Sequence, residues 1–287
     1  MEAILYEKLD NSKVRCLVCN HYCIIEPNRR GICGVRENHE GVLIALTFGK
    51  AIAVSIDPIE KKPLYEFMPR TMTYSFATEG CNLHCPWCQN HAISQIRHDH
   101  EISGYMITPE QHVEAAIKYQ CPSISYTYSE PTIFLEYALE TMKLAKARGL
   151  KNIWVSNGYL SKETMEIILP YVDAFNIDYK GSDEVYRHYC GGDATRVLQN
   201  LVRIKKHDIH LEITSLLIPK INDSGEDISL LADEIIQAIG KDFIWHLTRF
   251  HPHYLMKDKP ITSKDTMYIA LKIARDRGIR SVYLGNM

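Results

Sequence analysis

The sequence lacks an excess of charge of either sign, since 33 lysines and arginines nearly offset 35 aspartates and glutamates for a formal charge of -2. Broad electrostatic attachment to nucleic acid or to an acidic membrane is therefore not expected, although a local basic patch is compatible with that balance. No apolar run is long enough to span a bilayer. Residues 1–10 alternate charge and apolarity and do not form the basic and apolar regions of a secretory signal. A cytoplasmic, reducing location is the expectation, and there nine cysteines read as metal ligands, reactive thiols or buried hydrophobes, not as a disulfide framework. No internal repeat or low-complexity tract appears. With 46% hydrophobic and 24% charged residues over 287 positions, the chain has enough apolar surface for one large α/β domain or a domain with an appendage.

What is present is a rhythm. From residue 72 onward, β-rich runs at 72–78, 123–128, 152–156, 174–178, 210–217, 243–250 and 281–284 alternate with stretches of 3.6-residue apolar spacing at 109–119, 133–148, 162–169, 195–207, 227–239 and 265–277. That alternation predicts repeated βα units around a parallel sheet. Thr108 before Pro109, and Ser161, read as N-terminal caps, while Gly149, Gly240 and Gly278 read as helix stops. Six such units are too few for a closed eight-stranded barrel, so an open (β/α)6 partial barrel over residues 71–287 is expected, with its site on the loops after the strands. Residues 1–70 break the rhythm. They hold four cysteines, a β-rich run at 41–56 and a polar stretch at 57–63, and read as a small cysteine-rich appendage with a linker.

Three thiols, Cys81, Cys85 and Cys88, sit at C-x3-C-x2-C on the loop after the first strand of the series. An iron–sulfur cluster held by three thiolates keeps one iron without a protein ligand, and an open position is what a reacting metal centre needs. Gly80 supplies a tight turn through which the backbone approaches a bulky group closely. The alternatives are reduced core cysteines, against which the loop-like Gly, Asn, Pro and Gln between them argue, and a zinc site completed by His84 or His91.

The string Gly80-Cys-Asn-Leu-His-Cys-Pro-Trp-Cys-Gln-Asn90 resembles the signature of the radical S-adenosylmethionine (SAM) superfamily, in the branch related to pyruvate formate-lyase activating enzymes. Further strings resemble the radical enzymes of the AmmeMemoRadiSam system over almost the whole chain. They are Gly31-Ile-Cys-Gly-Val-Arg-Glu-Asn38, Asp57-Pro-Ile-Glu-Lys-Lys-Pro-Leu64, Tyr128-Ser-Glu-Pro131, Ser156-Asn-Gly-Tyr159, Asn176-Ile-Asp-Tyr-Lys180, Ile218-Pro-Lys-Ile-Asn-Asp223 and Trp245-His-Leu-Thr-Arg-Phe-His-Pro252. The resemblance implies an α/β partial barrel of the radical SAM type and a [4Fe-4S] cluster on Cys81, Cys85 and Cys88. There SAM is reductively cleaved to a 5'-deoxyadenosyl radical that abstracts hydrogen from a protein or small molecule. It also implies an external electron donor of the flavodoxin or ferredoxin type.

The same resemblance assigns SAM contacts, each with a plainer alternative. Ser129 and Glu130 occupy the position that receives the SAM amino group, with Tyr128 and Ser129 in place of the usual glycines; Ser129 could instead cap the helix that opens at Pro131. Ser156 and Asn157 would lie near the carboxylate and ribose, or serve the turn alone. Val155 stands where related activating enzymes carry an aspartate that helps bind a monovalent cation, which argues against that cation here. Asp178 and Lys180, at i and i+2 of one strand end, would meet ribose hydroxyls and the carboxylate, or form a surface ion pair. His246 would reach the cofactor or be a satisfied core histidine. Trp87 would lie near the cluster and adenine or pack the loop onto the barrel rim.

Cys16, Cys19, Cys23 and Cys33 offer a second set of soft ligands, with His21 as a fifth. Their spacing suits a closed zinc site that would fold a coreless appendage, and suits an accessory iron–sulfur cluster too. Two further readings of the whole remain at this stage. One is an activating enzyme that installs a glycyl radical on a partner protein; the other is a non-enzymatic, zinc-stabilised scaffold of a multiprotein system.

Overall fold

The structure, a computed structural model, describes residues 1–97 and 99–287. The chain forms two compact units, residues 1–82 with 90–175 and residues 83–89 with 176–287.

The first unit opens with short antiparallel elements. Strands β1 (Tyr6–Lys8), β2 (Val14–Cys16) and β3 (Ile24–Ile25) form one sheet, and β4 (Arg36–His39) with β5 (Val42–Ala45) forms a hairpin. The hairpin turns at Glu40 and Gly41, both at positive φ, which is the backbone a two-residue turn needs to match strand twist. Next, β6 (Ala53–Pro58) pairs antiparallel with β7 (Met72–Ala77). In turn β7 pairs parallel with β8 (Ser123–Tyr126), and β8 parallel with β9 (Lys151–Ser156). All of β8, and β7 from Thr73 onward, is buried, as strands covered on both faces are. One pair of their hydroxyls meets across the strands, Thr73 Oγ1 and Ser125 Oγ lying 2.8 Å apart.

Helices α1 (Pro109–Lys118), α2 (Leu135–Ala147) and α3 (Lys162–Ile168) follow β7, β8 and β9. The caps read from the sequence are present. Thr108 Oγ1 accepts the Gln111 N–H while the Gln111 side chain accepts the Thr108 N–H, and Ser161 Oγ accepts the Thr164 N–H. The stretch after β6 does more than link: Ile59 and Leu64 are fully buried against Ile153 of β9 and Ala174. Arg36 of β4 meets Glu136 of α2 in a two-pronged ion pair, at 3.0 and 2.6 Å, with both side chains 1% exposed. Burial opposes both charges, but the pairing outweighs it, raising the Arg36 pKa and lowering that of Glu136.

Strand β10 (Ala174–Asp178) carries the chain into the second unit, whose strand order is β10, β11 (His210–Leu217), β12 (Ile244–Arg249) and β13 (Ser281–Gly285). Pairing is parallel from β11 to β13. Helices α4 (Ala194–Lys206), α5 (Gly225–Ile239) and α6 (Lys264–Asp276) follow β10, β11 and β12. Before α4 a short turn at Asp183–Val185 runs into a π-helical turn, Tyr186–Cys190, that apolar periodicity did not announce. Thus each strand from β7 to β12 is followed by a helix and β13 ends the series, giving the expected α/β fold of parallel strands, consistent with a partial barrel. Among the described residues no helix is long and apolar enough to cross a membrane.

Candidate active site

In the first unit the loops after β7, β8 and β9 are joined by hydrogen bonds. Glu130, 3% exposed, is their hub. Its Oε1 accepts from the Thr132 N–H at 3.1 Å, the Thr132 hydroxyl at 2.5 Å and the Ser156 hydroxyl at 2.7 Å, and its Oε2 accepts from the Asn157 N–H at 2.8 Å. Burial pushes the Glu130 pKa up more than these donors bring it down. Asn157 then reaches the cysteine loop, its Nδ2 donating to Asn82 Oδ1 at 2.7 Å and lying 3.8 Å from Cys81 Sγ. Ser129 does not cap the helix, as one reading allowed; its hydroxyl donates to the Thr78 carbonyl at 2.7 Å, and the cap role falls to Glu130.

Two further contacts hold these loops, and no local pattern in the sequence linked their partners. Tyr128 sits in the left-handed region at φ 65°, its hydroxyl donating to Asp57 Oδ2. Asp57 also pairs with Lys62 at 2.7 Å, and the Lys62 ammonium lies 4.2 Å from the Tyr128 ring centroid. Burial works against the Asp57 charge, yet Lys62 and Tyr128 outweigh it and hold the carboxyl at about 2. Gly80, at φ 96°, makes the tight turn expected of it, but its close neighbour is the N-terminal segment: a Cβ there would stand 2.6 Å from Val35 Cγ1 and 2.8 Å from the Cys33 carbonyl.

In the second unit, Asp178 and Lys180 point to one side of the β10 end as their i, i+2 spacing required, and pair at 2.8 Å. Lys180 is largely buried and Asp178 is not, with side chains 13% and 42% exposed. Burial opposes the Lys180 charge, and Asp178 more than restores it. Cys85 is buried beside them. A hydrogen bond from the Cys190 thiol, opposed by burial and aided by the Lys180 charge, holds the Cys85 thiol below its ordinary range. The Cys88 N–H donates to the Cys85 carbonyl at 3.1 Å. Trp87 is 5% exposed and packs at 5.9 Å between ring centroids from Tyr189. His246, 2% exposed, lies with Nε2 2.5 Å from Glu212 Oε2 and stacks on Tyr283, while His210 meets the other Glu212 oxygen at 2.8 Å. The sequence offered no sign of that carboxylate, which lies in a run of β11 buried on both faces.

Cys16, Cys19, Cys23 and Cys33 line one pocket with His21 and Arg36. Burial pushes all four thiols up, Cys16 to about 12. Among the described residues no three His, Cys, Asp or Glu side chains gather as a single metal ion requires, so the tetrahedral zinc read from spacing gains no support. A cluster makes a different demand, because its thiolates bind separate irons and need not converge on one point. The donors after β7 fit it in kind, since Cys81, Cys85 and Cys88 are all thiols, soft ligands of the type iron–sulfur clusters take.

Residues 76–232 match the Radical SAM superfamily. The chain belongs to that family. An uncharacterized protein of Methanocaldococcus jannaschii is 43% identical over 286 residues, 100% of this chain and 85% of the relative. Two solved structures share the fold. A domain of pyruvate-formate lyase-activating enzyme from Bacteroides vulgatus is 20% identical at TM-score 0.50, over 57% of this chain and 99% of that one. SuiB of Streptococcus suis bound to precursor peptide SuiA is 13% identical at TM-score 0.57, over 72% and 46%. This radical SAM protein is therefore an enzyme, and the scaffold reading falls. Its family implies SAM, a [4Fe-4S] cluster and an external reductant.

Proposed function

We propose that Cys81, Cys85 and Cys88 hold the [4Fe-4S] cluster of this enzyme, and that Trp87, Ser129, Glu130, Ser156, Asn157, Asp178, Lys180 and His246 form its SAM site. One observation carries the reading: the loops after β8 and β9 meet in a hydrogen-bonded group centred on Glu130 that reaches Cys81 on the loop after β7. When bound, the cluster and SAM supply reductive cleavage of the sulfonium and hydrogen abstraction from the substrate. The chain's residues bind and orient. Glu130 Oε2 accepts from the Asn157 N–H and keeps a further acceptor direction for an ammonium. Lys180 offers its charge to a carboxylate, and the more exposed Asp178 offers acceptors to ribose hydroxyls. Asn157 holds the Cys81 sulfur in place through its side-chain amide.

The strings matched between residues 31 and 252 support the AmmeMemoRadiSam branch over a glycyl-radical activating enzyme, with a protein or small molecule as substrate and a flavodoxin or ferredoxin type of donor in the cytoplasm. Anaerobic reconstitution with iron and sulfide should give a brown protein that releases 5'-deoxyadenosine from SAM and dithionite, and Cys85→Ala should release none. Equal release from that variant would overturn the site. Deuterium transfer into 5'-deoxyadenosine from labelled candidates then identifies the hydrogen donor.

A further inference from the structure

Cys190 belongs to no motif in the sequence and stands alone on the chain, yet the second unit builds it against the cysteine loop. It is fully buried and ends the π-helical turn Tyr186–Cys190, a local distortion that recurs at functional sites. Its carbonyl accepts the His84 N–H at 3.0 Å. The next residue, Gly191, lies at φ 75° with its Cα against the His84 ring, where a Cβ would stand 2.0 Å from Cε1. One backbone hydrogen bond and one close approach to the His84 ring thus hold residues 190 and 191 beside residue 84, the neighbour of Cys85. Nearby, the Trp87 and Tyr189 rings pack on each other, and the Leu255 N–H donates to the Pro86 carbonyl at 3.0 Å. Across this clamp the Cys190 thiol hydrogen-bonds to the Cys85 sulfur, both side chains are buried, and the Lys180 charge acts on both.

We infer that Cys190 is a positioning residue that donates its S–H to the Cys85 sulfur and, with the cluster bound, raises the cluster's reduction potential. The inference rests on the triad reading above. A donor to a thiolate sulfur draws charge off it and favours the reduced cluster, which carries one more negative charge, over the oxidised one; the lever is hydrogen bonding around the ligand, not ligation. Lys180 acts in the same sense, and the π-turn is the device that brings a residue 105 positions away in sequence to the ligand.

The test is a potentiometric titration of the reconstituted full-length protein, followed by electron paramagnetic resonance and by iron per chain. Cys190→Ala should keep the iron content and shift the midpoint to more negative values. At fixed poise the ratio of reduced to oxidised cluster should fall by up to about tenfold, equivalent to about 59 mV for a one-electron couple. Cys190→Ser, which still donates, should stay close to the parent. Should the alanine variant not fold, Cys190→Val fills the space without a donor and should shift the potential alike. An unchanged midpoint in the non-donating variants overturns the inference, and so does an equal shift in the serine variant, which would mean packing. If Cys85→Ala retains its full iron and the parent's potential, the triad reading falls and the inference with it; a Cys85-dependent cluster indifferent to Cys190 sinks the inference alone.

Discussion

Glu130 takes four donors from its own chain on two oxygens, so replacing it by glutamine cannot be neutral. Whichever way the amide turns, its nitrogen faces a donor in place of an acceptor, and at least one buried partner is left unmade at about 1–3 kcal/mol. Glu130→Gln should therefore lower thermal stability and weaken SAM binding while iron per chain stays the same; calorimetry and equilibrium dialysis check the two effects separately. Asp57 gives a pH prediction. Its carboxyl is held at about 2, below the ordinary carboxylate value, so the unfolded chain binds the proton first as pH falls. The stability it contributes, about 2 kcal/mol, is present above roughly pH 4 and is lost as pH falls towards 2. Asp57→Asn should flatten the acid limb of the unfolding curve and, by leaving Lys62 buried without its partner at 2% exposure, cost about 3–5 kcal/mol at neutral pH. An acid limb unchanged in the variant would show that Asp57 does not set it. Glu130 was visible in the sequence because it follows a strand in a recognisable string. The Asp57–Lys62–Tyr128 group was not, since Tyr128 lies 71 residues from Asp57 and no local pattern links them.

At the scale of elements, helices were legible where a cap and a period agree, as for α1 behind Thr108 and α3 behind Ser161. The helix expected from residue 133 starts instead at Leu135, because Pro131–Phe134 forms a tighter turn under the Glu130 cap. The π-turn at Tyr186–Cys190 left no trace in apolar spacing, which assumes a regular 3.6-residue repeat. The cysteine loop has a similar hidden partner. Its spacing was readable, but the crowding of Gly80 against Val35 and the Cys33 carbonyl belongs to a contact across 45 residues. Gly80→Ala should thus cost about 1–3 kcal/mol, from a strained positive φ and from the clash, and should lower iron incorporation by moving Cys81. Full loading at parental stability would show that the loop tolerates the side chain.

For the whole molecule, the alternation of strand and helix was enough to specify a parallel α/β fold, because each βα unit carries its own periodic signal. It could not say that β6 pairs with β7 or that Ile59 and Leu64 enter the core beside Ile153, since an apolar run reports burial and not its partner. Residues 1–70 accordingly looked more separate than their pairings and the Arg36–Glu136 bond make them. The loaded enzyme also allows one measurement that concerns the entire chain. A ligand that binds only the folded state stabilises it by mass action, about 2.7 kcal/mol at a hundred times its Kd. For a chain of 287 residues that corresponds to a rise in Tm of roughly 4–5 °C. SAM should give that rise in the reconstituted protein and much less in Cys85→Ala or in protein stripped of iron, since in the proposed site part of the affinity comes from the open iron and only part from Glu130 and Lys180. An equal rise without the cluster would mean that SAM is held by the protein groups alone.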